Sequence, residues 1–480
     1  MEQVLPKSIN YLDVLPKAVP SEKKRKYFYA SNGTRYLMGA TVIIEIADPR
    51  SFLDANNSWL EFQVSNTTGA TIGLDLGGAN NFIQNFRCIQ AGNELFRINN
   101  YSKLVNAVIA PVQDVSDVRG DKSLIGLGRF QNANGVGFQN GELAALATAG
   151  ADMTGAHNAN TQIGAGANFN VSTPLIGGFF SQAGQPKLVP LPLLNQPIQL
   201  MFDLSTVEDI GVFSGLPATY EITRARFVAE LVEVPRDVLG YIKEVQLMHG
   251  GSLSMQCSSY EHSSAGIAAA ATGQQVIPIP SRKRSIKSIF FVGASQTYTG
   301  AGVGAAWNTY NLSFAGTMDL VDYQVRAGSI VVPQPGVTCQ GTTNAVEPKA
   351  TYNNRGEMLQ ELTKSFGKLN ATVGSGLLNR LSYASTNSDN AITDAFAAPS
   401  QQSPQTDDPY IVCPFGLDLE AYRNEAINSG FDTQTLSLEM NLQLNLATPA
   451  VSVEPIIVDC WTLYDMQLYF NADGSMTFED

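Results

Sequence analysis

The stretch LSLEMNLQLNL, Leu436 to Leu446, decides the fold. Leu436, Leu438, Met440, Leu442, Leu444 and Leu446 are apolar, and Ser437, Glu439, Asn441, Gln443 and Asn445 between them are polar. Successive strand residues point to opposite faces, so this is a ribbon with one oily side and one wet side. A helix would spread the same leucines around its circumference. The stretch is therefore a long strand of a half-buried antiparallel sheet.

The same alternation recurs along the chain. Val42, Ile44 and Ile46 share one face, and after the Asp48-Pro49 turn Leu60, Phe62 and Val64 do so again. Residues 82–98 read as two short strands around Ala91-Gly92-Asn93. Asn99 or Asn100 then caps a helix carrying Tyr101, Leu104, Val105, Val108 and Ile109, which Pro111 ends. Residues 113–185 lose the alternation and read as a long, low-charge excursion inside one domain. Strands resume at 187–194, at Ile198–Leu204, the counterpart of the opening strand, and at Tyr220–Val234. The second half repeats this plan about 200 residues on. Strands fall near 241–262 and 274–294, with the basic turn Arg282, Lys283, Arg284 and Lys287. Leu320–Val332 is a strand ending at Pro333-Gln334-Pro335, and a helix follows at about Asn354–Leu369. A second polar excursion (370–408) precedes strands at Tyr410–Phe415, Leu436–Leu446 and Ile456–Phe470, the last leading to an Asp473-Gly474 turn. Seven or eight strands per half fit a two-sheet sandwich of jelly-roll size. The fold expected is all-β: two tandem eight-stranded jelly rolls with short helices and long inserted loops. The boundaries are an arm at 1–35, a first roll at 36–236 and a second at 237–480.

Composition narrows the function. Charged residues make up 15% of the chain, a low share, and the net charge is −13; a chain so acidic repels nucleic acid over most of its surface. Its densest basic run, Lys23, Lys24, Arg25 and Lys26, reads as part of an arm, either a solvated tail before the first domain or one that reaches a neighbouring subunit or an acidic partner such as nucleic acid or a membrane surface. The five cysteines (Cys88, Cys257, Cys339, Cys413, Cys460) form no C-x-x-C pair and read as free, mostly buried thiols. No secretory signal and no run of ~20 apolar residues occurs, so synthesis in the cytoplasm is expected.

Catalytic chemistry is scarce. The three histidines, His157, His249 and His262, form no metal-ligand spacing, and His249 and His262 read as ordinary groups flanking a strand. There is no nucleophile elbow and no phosphate loop, since Gly367-Lys368 is followed by Leu369. Gly300, Gly302 and Gly304 lack dinucleotide spacing. Neither a cofactor nor an enzymatic activity is expected. A binding module such as a spike or lectin is the competing reading, with Trp307 and Tyr310 its candidate aromatics.

Four segments resemble the double jelly-roll major capsid proteins of icosahedral DNA viruses, in the virophage and Polinton-like branch. They are ATVIIEIADPRSFLDANNSWLEFQV (Ala40–Val64), FIQNFRCIQAGNELFRINNYSKLVNAV (Phe82–Val108), DYQVRAGSIVVPQPG (Asp322–Gly336) and LYDMQLYFNADGSMTFED (Leu463–Asp480). The resemblance implies a virion subunit forming pseudo-hexagonal homotrimeric capsomers. It also implies contacts with neighbouring capsomers and with penton and minor capsid proteins. The arm at Lys23–Lys26 would then lie at the inner side, near membrane or genome.

Overall fold

The computed structural model describes residues 21–67, 72–74, 77–112, 162–163, 166–182, 186–206, 211–213, 219–248, 250–268, 273–295, 320–339, 356–367, 414–420, 430–444 and 456–480. In chain order the first roll comprises β1 (Glu22–Tyr29), β2 (Arg35–Leu37), β3 (Thr41–Ile46), β4 (Ser51–Asn66), β5 (Ile72–Leu74), β6 (Ile83–Gln90), β7 (Asn93–Ile98), β8 (Gln162–Ile163), β9 (Asn168–Pro174), β10 (Ile198–Leu204), β11 (Gly211–Phe213) and β12 (Tyr220–Glu233). The helical run α1 follows β7. It opens at Tyr101–Lys103, widens into a π-helical stretch at Leu104–Ile109 and closes at Ala110–Val112. Helix α2 (Arg236–Met248) leads to the second roll. That roll comprises β13 (Ser252–Ile267), β14 (Gly273–Ile279), β15 (Ile286–Ser295), β16 (Leu320–Ala327), β17 (Ile330–Thr338), helix α3 (Gly356–Ser365), β18 (Phe415–Asp418), β19 (Leu438–Leu444), β20 (Ile456–Asn471) and β21 (Met476–Glu479).

Alternation builds each sandwich. Ile198, Leu200, Phe202 and Leu204 of β10 are buried, while Gln199, Met201 and Asp203 are not. Leu200 sits between Ile44 and Cys88 in the ladder, and Phe202 stacks on Phe86 at 5.0 Å. Each such side chain contributes roughly 1.5–3 kcal/mol of gross stabilisation on burial. The first roll's sheets run β1-β12-β4-β9 and β3-β10-β6-β7; the second's run β13-β20-β15-β18 and β14-β19-β16-β17. Leaving aside the accessory strands, both rolls therefore place their strands first-eighth-third-sixth in one sheet and second-seventh-fourth-fifth in the other. β19, the opening strand, is the seventh of its roll, and β10 is the seventh of the first. The repeat in the sequence is a repeat of topology.

Several local expectations change. Glu22–Tyr29 is a strand of the first roll rather than an arm, because Phe28 enters the core and all eight residues pair with β12. Residues 236–248 are a helix, not the start of a strand, since Val238, Leu239, Ile242 and Val245 follow helical spacing. Leu320–Thr338 folds back at Gly328 as the hairpin β16–β17; Pro333 and Pro335 are tolerated because β17 is a sheet edge. The excursion at 113–185 contains β9, whose Val171 and Thr173 are buried beside β4. Residues 187–194 are irregular, with one bridge from Val189 to Leu53 and a short 3-10 turn at Leu191–Leu193. Asn100 does not cap α1: its backbone is left-handed (φ +49°) and its side chain makes no capping bond. The stretch 370–408, Cys413, His157, His249, Trp307 and Tyr310 lie outside the described residues.

Candidate assembly surfaces

The first surface is the seam between the two rolls. Its apolar part is continuous with the first roll's core: Met255, Cys257, Phe290, Trp461, Met466 and Phe470 of the second roll join the cluster that holds Phe86, Phe96 and Phe179. The backbone is stitched as well. Gly178 N–H donates to Ser258 O at 2.8 Å, and Ser258 N–H donates to Ser181 O at 2.9 Å. Gly178 has φ +56°, and a Cβ there would overlap the Phe96 ring, so only glycine allows this approach. The C-terminal turn closes the far end. Gln90 receives Met476 N–H at 2.8 Å and donates to Gly474 O at 3.2 Å.

A buried charge cluster sits in the middle of the seam. Lys103 of α1 donates to Asp459 of β20, and His262 Nε2 of β13 lies 2.9 Å from the other carboxylate oxygen. Their side chains are 11%, 4% and 10% exposed. The Asn100 amide stands 3.3 Å from the same histidine nitrogen, and Trp461 packs on the ring at 5.1 Å. Burial pushes the Asp459 carboxyl up, but the Lys103 charge and the His262 hydrogen bond outweigh it and hold the group below its usual range. His262, unremarkable in the sequence, is thus a seam residue. Its partners lie on one other strand, β20, and at Asn100 just before α1, at separations no local motif reveals.

The second surface is the outer face of the first roll's β1-β12-β4-β9 sheet. Here alternation splits the expected basic arm. Lys23 and Arg25 point outward with side chains 54% and 51% exposed, and Lys24 and Lys26 turn to the other side. All four have carboxylate partners. Lys24 meets Glu233 at 2.8 Å, Arg25 meets Glu230 at 2.8 Å, Lys26 meets Asp48 at 3.2 Å, and Lys23 lies 3.7 Å from Glu230. These four cations thus stand on an edge strand whose charge is balanced locally. Arg25 also lies 4.9 Å above the Trp59 ring, and Arg226 lies 4.4 Å above Tyr27. The basic turn of the second roll is spent in the same way. Lys283 pairs with Asp480, Arg284 with Glu479, and Lys287 with Asp465 and Glu420, which fastens β21 and the segment after β18.

Among the described residues no group of histidine, cysteine and carboxylate side chains is arranged to hold a metal ion, and no helix is long and apolar enough to cross a membrane. Cys88, Cys257, Cys339 and Cys460 are buried, and burial raises the Cys460 thiol to about 12.

No family model and no curated protein matches the sequence. Solved structures do. PBCV-1 VP54, fitted into a reconstruction of the virophage Sputnik, matches with a TM-score of 0.53 at 11% identity, over 97% of this chain and 98% of its own. The chain has the double jelly-roll fold. The PBCV-1 virus capsid model matches with a TM-score of 0.52 at 10% identity over 97% and 98%, and the Faustovirus major capsid protein with 0.53 at 8% over 95% and 91%. At such identities the likeness is one of fold. It takes in both rolls of this double jelly roll together, and so the way one stands beside the other.

Proposed function

We propose that this double jelly roll is the major capsid protein of an icosahedral virus, a structural subunit without catalysis. The observation that carries the reading is the end-to-end match, both rolls at once, to proteins that build viral capsids. The fused seam supports it, because a rigid pair of like rolls is a ready tile. Three such chains would set six similar rolls in a ring, giving a homotrimeric pseudo-hexagonal capsomer. Neighbouring capsomers, and penton and minor capsid proteins at the vertices, would be its further partners. The low charge of the chain suits this role, since surfaces covered by neighbours would otherwise bury unpaired ions.

Light scattering of the purified chain, followed by electron microscopy, tests the proposal. Trimers that associate into closed shells are expected. A monomer that binds glycans and forms no larger species would overturn it in favour of a lectin-like module.

A further inference from the structure

The turn from β1 to β2 carries a pair of residues with chemistry of its own. It reads Ala30-Ser31-Asn32-Gly33-Thr34, and Ser31 to Thr34 are exposed. An asparagine followed by glycine can cyclise. The Gly33 nitrogen attacks Asn32 Cγ, the Cγ–Nδ2 bond breaks, and Nδ2 leaves as ammonia with the proton the peptide nitrogen gives up. Water then opens the succinimide ring, at Cγ to give aspartate or at the main-chain carbonyl carbon to give isoaspartate. No oxidant or cofactor enters the balance. Glycine favours the attack because no Cβ stands beside the nucleophilic nitrogen.

The fold holds one of the two reacting groups. β3 is an edge strand, and the Asn32 side-chain amide continues its ladder as a peptide group would. Ile43 N–H donates to Asn32 Oδ1 at 3.0 Å, and Asn32 Nδ2 donates to Thr41 O at 2.7 Å. Ser31 N–H adds a bond to Ile43 O at 2.8 Å, and Ala30 bridges to Ile44. The Tyr36 hydroxyl lies 2.9 Å from Asn32 Oδ1 and 2.7 Å from Gly33 O, so its one proton serves both in turn. Tyr36 itself is anchored in the core. The Gly33 N–H, by contrast, has no partner among the described residues. The nucleophile is free, and the carbon it must reach is clamped.

We infer that Asn32-Gly33 is a deamidation site gated by the first roll: the pair reacts when the turn lifts from β3, and the product keeps the turn from closing again. Nδ2 cannot leave as ammonia without giving up Thr41 O, so reaction follows local opening. The carboxylate that forms has no proton for Thr41 O and sets an acceptor against an acceptor. Isoaspartate also adds a carbon to the main chain and shifts the register of the turn. Each conversion records, in a covalent mark, that this corner of the roll has opened.

The test follows the peptide bearing Asn32 by mass spectrometry, in the full chain kept folded and in urea at the same pH and temperature. In urea it should convert at the pace of the other Asn-Gly pairs, Asn134-Gly135 and Asn140-Gly141. In the folded chain it should convert at least roughly tenfold more slowly, because the bonds to Ile43, Thr41 and Tyr36 must break first. Y36F keeps the ring and loses the hydroxyl, and it should narrow that gap. G33A puts a methyl group beside the nitrogen and should slow conversion in urea. N32D carries the product's charge from the start. Its Ser31 and Ile43 amides should exchange with solvent faster than in the native chain, while those of β10 stay protected. Equal rates in the folded and unfolded chain, or an unchanged gap in Y36F, overturn the gate. An unchanged rate for G33A in urea overturns the cyclisation, and native protection in N32D overturns the lock.

Discussion

At the scale of single residues, the Lys103–Asp459–His262 cluster is the most exacting feature. Removing one member leaves a charge stranded in a dry seam, so Asp459→Ala should cost about 3–5 kcal/mol in urea unfolding. The pH dependence has a definite sign. Because the folded Asp459 carboxyl is held below its unfolded value, its contribution is complete above roughly pH 4 and is lost as pH falls toward the folded value. Stability measured from pH 6 downward should therefore fall more steeply in the native chain than in Asp459→Asn. Equal slopes would show that Lys103 does not hold the carboxylate. None of this cluster was legible beforehand: Lys103 and Asp459 are 356 residues apart, and a lone histidine in a strand carries no sign of its partners.

At the scale of elements, β1 shows where composition misleads. Four cations in a row resemble a solvated tail, yet Phe28 and the pairing of Glu22 with Glu233 make the segment the first strand of a sheet. Deleting residues 1–29 should unfold the first roll or lower its melting temperature by many degrees, whereas deleting residues 1–20 leaves the β1–β12 ladder in place. Calorimetry of the two truncations decides the matter, and equal melting temperatures would return β1 to the status of an arm. The strands β3 and β10 were legible because one face of each is dry and its burial alternates without interruption. Helix α2 was hidden by its position next to a strand. The turn at Gly328 was hidden because an edge strand tolerates the prolines that ordinarily end one.

On the scale of the whole molecule, one apolar cluster runs across the seam from the first roll into the second. Met255, Cys257, Met466 and Phe470 are buried against the first roll, so residues 237–480 expressed alone would expose them to water. That fragment should aggregate or remain partly unfolded, and the full chain should melt in a single transition. A soluble fragment with native near-ultraviolet circular dichroism would show the seam to be dispensable. The tandem plan was readable from the order of strands, helix and polar excursion in each half. The seam was not, because a surface covered by the same chain and one covered by solvent can carry the same alternation.

The pairing of first strand with last sets a timetable for making the protein. β12 ends at Glu233, so the first roll can close while the strands of the second are still being added. β20 ends at Asn471, about 240 residues later, and at ~5–20 residues per second this interval lasts roughly 10–50 s. Throughout it, the side of the first roll that bears Asn99, Asn100, Lys103 and Gly178 waits uncovered. Each nascent chain is adhesive during that window, and slower translation or crowded polysomes should raise the fraction lost to aggregation before any shell is begun.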